Sequence, residues 1–282
     1  MSPTNDRQRA AARARLEREM TARAEAARRR RKTQAMIGAG AAALVVIVGV
    51  VWLIVALSDD DKGTASAQPS GSAGPLSCTW NTGPSPAPSP VQPGIVDVGL
   101  PPTNPPRTGT RTLVIETNLG MIKAAIDLSK TPCTGASFDY LASKKFYDGS
   151  KCHRLVTEGL KVLQCGDPTA KGPGYRETDG TGGPSYRFDE ENLPVGERPA
   201  YPEGVIAMAK SQDPGSTGSQ FFIVWGDTEL DASYTLLGRV TEGLQIVKDV
   251  GAAGDDGAYA ASAGGGHPKK EIEIKSLTMT TP

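Results

Sequence analysis

The sequence is poor in the residues that most enzymes use to move protons or hold metals. Only two histidines occur in 282 residues, His153 and His267. No HExxH, CxxC, Walker or GxSxG motif is present, so zincin, thioredoxin-like, P-loop and α/β-hydrolase chemistries have no footing. Cys152 adjoins His153, but neighbours on a strand point to opposite faces, so they form no thiol–imidazole dyad. His153 is left as an orienting or structural residue. The carboxylates fall in no metal-binding spacing, and neither a metal nor a cofactor is expected. Aromatic residues are scarce at 5%, and net charge is zero, with 31 basic and 31 acidic residues.

That zero hides an asymmetry. Residues 1–35 carry eleven Arg or Lys against four acids, and the rest of the chain carries 20 against 27. A uniform nucleic-acid binder is excluded, because the acidic bulk would repel phosphate. Between the two regimes, Ile37 to Leu57 is 21 residues without one charge. As a helix it spans roughly 31 Å, against a bilayer core of about 30 Å. The run is too long for the apolar part of a cleaved signal peptide and too uniformly apolar for a core helix. Residues 36–57 are therefore expected to be a transmembrane helix, with a basic cytoplasmic tail at 1–35. Arg28–Lys32 before the span and Asp59–Asp61 after it place everything beyond residue 58 outside the cell membrane. The tail has few large apolar residues, so orientation and attraction to lipid headgroups explain it more simply than RNA binding.

Residues 58–110 read as a Pro/Ser/Gly-rich linker. Eleven of the 22 prolines lie between Pro69 and Pro106, a composition that favours extended chain. Cys78 and Trp80 are the exceptions that could dock on the globular part. From Arg111 the pattern changes. Thr112–Thr117 and Met121–Leu128 predict two strands joined by a hairpin turn. Thr131-Pro132 predicts the N-cap and first residue of a helix reaching about Lys145. Further short strands are predicted at 151–156, 161–166, 204–209, 220–224, 235–240 and 271–279, with a second helix at 242–250. Residues 111–282 are expected to form one mainly β domain, a closed antiparallel barrel with two helices.

Several motifs then point to one family. Cys152-His153-Arg154-Leu155-Val156, Leu163-Gln164-Cys165-Gly166-Asp167-Pro168, Asp179-Gly180-Thr181-Gly182-Gly183-Pro184 and Phe188-Asp189-Glu190-Glu191-Asn192 occur in order. They are followed by Gly204–Ala209 with Gly218–Ile223, Leu230-Asp231 and Leu237–Val240. In this order they resemble the cyclophilins, the peptidyl-prolyl cis-trans isomerases, and the anchored layout is similar to that of bacterial, actinobacterial members. The resemblance implies a closed eight-stranded antiparallel barrel capped by two helices, with a proline groove on its outer face. It implies that Arg154 is catalytic and that Gln164 binds substrate backbone. It further implies that Ala209 and Gln220 hold the substrate main chain, and that Phe222, Leu160 and Leu230 form the proline pocket. Tyr234 stands where a groove histidine is frequent, Glu229 where Trp or Phe is common, and Lys210 replaces an asparagine. The departure at Glu229 implies weaker cyclosporin binding.

The chemistry fits an arginine. An X–Pro bond crosses a barrier of about 18–20 kcal/mol without any bond being made or broken. The catalyst must bind the twisted amide better than either planar form. Twisting makes the amide nitrogen more basic, and a permanently charged guanidinium can donate to it. The expected partners are proline-containing polypeptides, including exported proteins. The alternative is a non-catalytic module that holds proline-rich or unfolded chains in the same groove, as a chaperone or scaffold. Intact Arg154, Gln164 and Phe222 favour catalysis, and the altered rim favours binding alone.

All four cysteines, Cys78, Cys133, Cys152 and Cys165, lie beyond the apolar run. An even number outside the cell predicts disulfides, with free buried thiols as the alternative. If Arg154 and Gln164 share a face, strand alternation disfavours Cys152–Cys165. The expectation is that Cys133 bonds one of those two and that Cys78 ties the linker to the domain.

Overall fold

A computed structural model describes residues 77–82 and 94–281. The expected tail and transmembrane helix lie outside the described residues, and among the described residues no helix is long and apolar enough to cross a membrane.

The chain runs β1 (Ile95–Val96), β2 (Thr110–Thr117), β3 (Gly120–Asp127), α1 (Pro132–Ser143), β4 (Ser150–Lys151), β5 (Arg154–Val156), β6 (Val162–Cys165), β7 (Gly183–Pro184), β8 (Val205–Met208), β9 (Phe221–Val224), β10 (Leu236–Glu242), α2 (Leu244–Ala253) and β11 (Glu273–Thr280). Among the described residues nine strands form one antiparallel sheet, in the order β4-β11-β2-β3-β10-β8-β9-β6-β5. Laid flat, its outer strands would stand roughly 38 Å apart. Yet β4 ends at Lys151 and β5 begins at Arg154, a reach of about 11 Å at most. The sheet therefore curls until its two edges meet through the chain.

This corrects the expectation of a closed eight-stranded barrel. The strand expected at 151–156 breaks at Cys152-His153, and its halves change partners. Lys151 pairs with Glu273 on β11, while Arg154 pairs with Gln164 on β6. The hydrogen-bonded ladder is thus open between β4 and β5, and the break supplies the ninth strand.

The inner face holds the main core. Leu113 and Ile115 of β2, Ile122, Ala124 and Ile126 of β3, Ile274 and Leu277 of β11, and Phe138 and Leu141 of α1 are all buried there. Phe138 stacks on Tyr147 and meets Phe221 edge-on, with ring centroids 5.6 and 5.7 Å apart, an arrangement that adds to plain area burial. Helix α1 starts at Pro132 as the sequence predicts, but Thr131 makes no side-chain cap. Its hydroxyl donates to Asp127 O instead. The cap comes from Glu191, whose carboxylate accepts the N–H groups of Cys133 at 3.4 Å and Thr134 at 2.6 Å, an anion at a helix N-terminus.

Part of the segment expected as linker takes part in the fold. Cys78 is bonded to Cys133. Trp80 lies edge-on to Tyr186 and Phe188. Strand β1 pairs in parallel with β7. The second disulfide joins Cys152 to Cys165, so both the disfavoured pairing and the expected Cys133 partner are corrected. The parity argument failed because alternation does not carry across the break in the strand. Cys152 lies outside β5, and both sulfurs turn into the same core.

Candidate active site

A second apolar cluster lies on the opposite face of β6, β8 and β9. It contains Val162, Val205, Ala207, Phe222 and Val224, with Val156 and Tyr201, and Leu160, Leu230, Ala209 and Tyr234 pack on it. Adjacent residues of β9 divide between the clusters: Phe221 belongs to the inner core and Phe222 to the outer one. This cluster floors a groove of about 600 Å³. Arg154, Leu160, Gln164, Ala209, Phe222, Leu230 and Tyr234 all line it, so the structure brings these expected site residues together. Gln220 stands one step further, lining an adjoining pocket of about 320 Å³ that shares Gln164 and Ala209 with the groove.

The polar wall is a row of hydrogen bonds. Arg154 Nη1 donates to Gln164 Oε1 at 3.0 Å. Gln164 Nε2 donates to Gln220 Oε1 at 2.9 Å. Gln220 Nε2 donates to the carbonyls of Gly180 and Gly182 at 2.8 and 2.9 Å. Each amide is thereby fixed in one orientation. Gln220 is held by protein at both ends, so its side chain orients Gln164 and the glycine-rich turn. Asp167 organises the same turn by accepting the N–H groups of Gly180 and Gly182 at 2.7 and 3.0 Å. A Cβ on Gly182 would fall on that carboxylate.

Arg154 has two further fixed contacts. Its Nε donates to Gly264 O at 3.1 Å, and Nη2 donates to Ala263 O. A guanidinium carries five N–H donors. Among the described residues three are engaged, leaving one on each terminal nitrogen. Burial, partly offset by Tyr234 and Tyr259, pulls its pKa below the ordinary arginine value; Lys210 is a second basic side chain on the groove lining.

His153, beside it, is buried, and among the described residues neither ring nitrogen has a hydrogen-bond partner. Its ring packs under Gly180, where an added Cβ would meet Cδ2 at 3.0 Å. Burial lowers its pKa to about 4, against the upward pull of Asp167 and Asp179. It orients nothing through a hydrogen bond.

Sequence reasoning missed Tyr201, Tyr259 and the carbonyls of Ala263 and Gly264. Tyr201 is fully buried, and its hydroxyl bridges the Tyr234 backbone, donating to O at 2.7 Å and accepting from N–H at 2.8 Å. Its ring and that of Tyr234 meet Phe222 edge-on at 6.2 and 5.7 Å. The tyrosine between two prolines of the loop before β8 carried no pattern that marked it.

A curled antiparallel sheet with an apolar pocket and a fixed arginine on its outer face defines a class. Residues 112–279 match the family described as cyclophilin type peptidyl-prolyl cis-trans isomerase/CLD, and the chain belongs to that family. It is 36% identical over 205 residues to "Probable peptidyl-prolyl cis-trans isomerase B" of Mycobacterium leprae, a match covering 66% of this chain and 65% of that protein. With the Mycobacterium tuberculosis protein of the same name the identity is 35% over 223 residues, covering 75% of this chain and 66% of that one. The chain thus spans slightly less than two thirds of either relative. A crystal structure of a Cryptosporidium parvum cyclophilin type peptidyl-prolyl cis-trans isomerase covers 61% of this chain and 99% of that one, at 25% identity and a TM-score of 0.50.

Proposed function

We propose that this protein accelerates cis-trans rotation of X–Pro bonds. The observation that carries the reading is Arg154 standing beside an apolar pocket with two N–H donors to spare. The proline ring sits on Phe222 between Leu160, Leu230 and Tyr234. The spare donors of Arg154 reach the amide nitrogen as it turns pyramidal, when it first becomes a good acceptor. Because the guanidinium is already fixed by three acceptors, little reorganisation accompanies the rotation, which is how preorganised donors lower a barrier. No group changes protonation state.

The clients proposed are exported proteins, with the domain outside a membrane that residues 36–57 cross. The charge asymmetry about the 21-residue uncharged run supports this topology, two disulfides suit an oxidising compartment, and the mycobacterial relatives support an actinobacterial origin.

Proline-limited refolding with the full chain tests the activity. Catalytic amounts should accelerate the slow phase, and Arg154→Ala should cut the acceleration about 100-fold, the scale of losing one preorganised donor, with the fold retained. Acceleration only near stoichiometric amounts would support the binding module instead.

A further inference from the structure

The second histidine remains without a role in the groove, and its surroundings assign one. His267 lies in the segment between α2 and β11, and its Nδ1 meets Asp256 Oδ2 at 2.8 Å. Asp256 also accepts the backbone N–H groups of His267 at 2.7 Å and Ala258 at 3.0 Å. An ionised carboxylate only accepts, so a ring proton sits on Nδ1, and in the neutral imidazole Nε2 then carries the lone pair. That lone pair faces the Tyr259 hydroxyl at 2.8 Å. Tyr175 stacks on the imidazole at 4.4 Å between centroids and is itself tied to Pro268 O.

Tyr259 in turn sets the backbone that receives Arg154. Its N–H donates to Gly265 O at 2.9 Å, and its O accepts the N–H of Gly264 at 2.8 Å. Ala263 O and Gly264 O are the two carbonyls on Arg154. Gly264, Gly265 and Gly266 are consecutive. Glycines contribute no stiffness of their own, so this acceptor pair needs an external brace. Among the described residues, the backbone of the run is otherwise anchored to β5 by the two-way hydrogen bond between Gly266 and Leu155.

We propose that Asp256, His267 and Tyr259 form a relay of positioning residues that holds the Ala263–Gly264 carbonyls where they fix the Arg154 guanidinium. The inference deepens the isomerase reading and rests on it. Asp256 fixes the imidazole tautomer, His267 fixes the phenol, and Tyr259 fixes the peptide groups. Without the relay, Arg154 keeps Gln164 but loses the seat of its Nε and Nη2.

Two readouts on the full chain test this. The first is turnover on a proline peptide for His267→Ala, Tyr259→Phe and Arg154→Ala, alone and combined. The second is the NMR signal of the Arg154 Nε–H. His267→Ala should lower kcat roughly tenfold, the scale of losing a supporting hydrogen bond, with KM little changed, and should shift the Nε–H signal. Tyr259→Phe keeps the ring and should reproduce the direction of both changes, which keeps the test open if the alanine variant fails to fold. On an Arg154→Ala background the His267 change should have no further effect, because the relay acts only through that arginine. Losses that multiply independently, or an unmoved Nε–H signal in both variants, would overturn the relay. If the parent chain shows no turnover at all, the isomerase reading fails while the Nε–H signal still decides the relay.

Discussion

The two halves of the sheet use their faces differently. In β2 and β3 burial alternates: Ile122, Ala124 and Ile126 point inward while Met121 and Lys123 do not. That is the ordinary pattern of an antiparallel sheet with one wet face. In β8 and β9 every residue is buried. Their outer face carries Val205, Ala207, Phe222 and Val224, packed against buried Tyr201 and covered further by partly buried side chains such as Leu160, Leu230 and Tyr234. The first half shows what holds the fold together. The second shows an apolar face that floors an open groove, with Arg154 hydrogen-bonded along one edge, the arrangement on which the proposed isomerase reading rests.

The largest test of that comparison uses adjacent residues of one strand. Phe221→Ala should cost about 3–5 kcal/mol of stability, as expected for emptying a phenylalanine site in a core. Phe222→Ala should cost clearly less in denaturant unfolding and appear mainly as a raised KM for proline peptides. Equal losses of stability would remove the distinction between the faces.

The next effect depends on pH. The His153 pKa is depressed to about 4 in the fold, chiefly by burial, against about 6.5 in an unfolded chain. Between these values the unfolded state binds more protons, so stability rises with pH. The contribution is complete above about pH 6.5 and is lost as pH falls through about 4, and it amounts to about 3 kcal/mol. Replacing His153 with asparagine should flatten that part of the stability profile. A variant whose profile still tracks the parent's would show that another group carries the dependence.

The smallest effect is expected on the wet half. Lys123 pairs with Glu242 at 2.9 Å on a largely exposed face, and such pairs contribute at most about 1 kcal/mol. Lys123→Ala should move the unfolding midpoint barely at all and leave turnover untouched.

Much of this was legible in the sequence, for identifiable reasons. Strands β2 and β3 alternate and are joined by a turn, and α1 begins with a proline at its first residue, so local pattern and tertiary packing agree. Arg154, Gln164 and Phe222 sit inside motifs whose order carried the resemblance. What escaped has no period. Strands β1 and β7 are two residues each, too short to show alternation. The break at Cys152-His153 invalidated a parity argument that assumed one continuous strand, and with it the disulfide pairing. Glu191 caps a helix that begins nearly sixty residues earlier, which no local window can see. The Asp256–His267–Tyr259 cluster assembles within an irregular segment where spacing carries no structural meaning.

The Cys78–Cys133 bond joins residues 55 positions apart. It turns everything between them into a covalent ring that begins ahead of the sheet and ends in α1. A single protease cut within that ring leaves the chain in one piece, and only reduction after cutting separates the two ends. Any pull transmitted along the chain from before Cys78 is delivered directly into α1, bypassing the stretch that contains β1, β2 and β3. The load then enters the core next to the groove, because Phe138 of α1 packs against Phe221, the strand neighbour of Phe222.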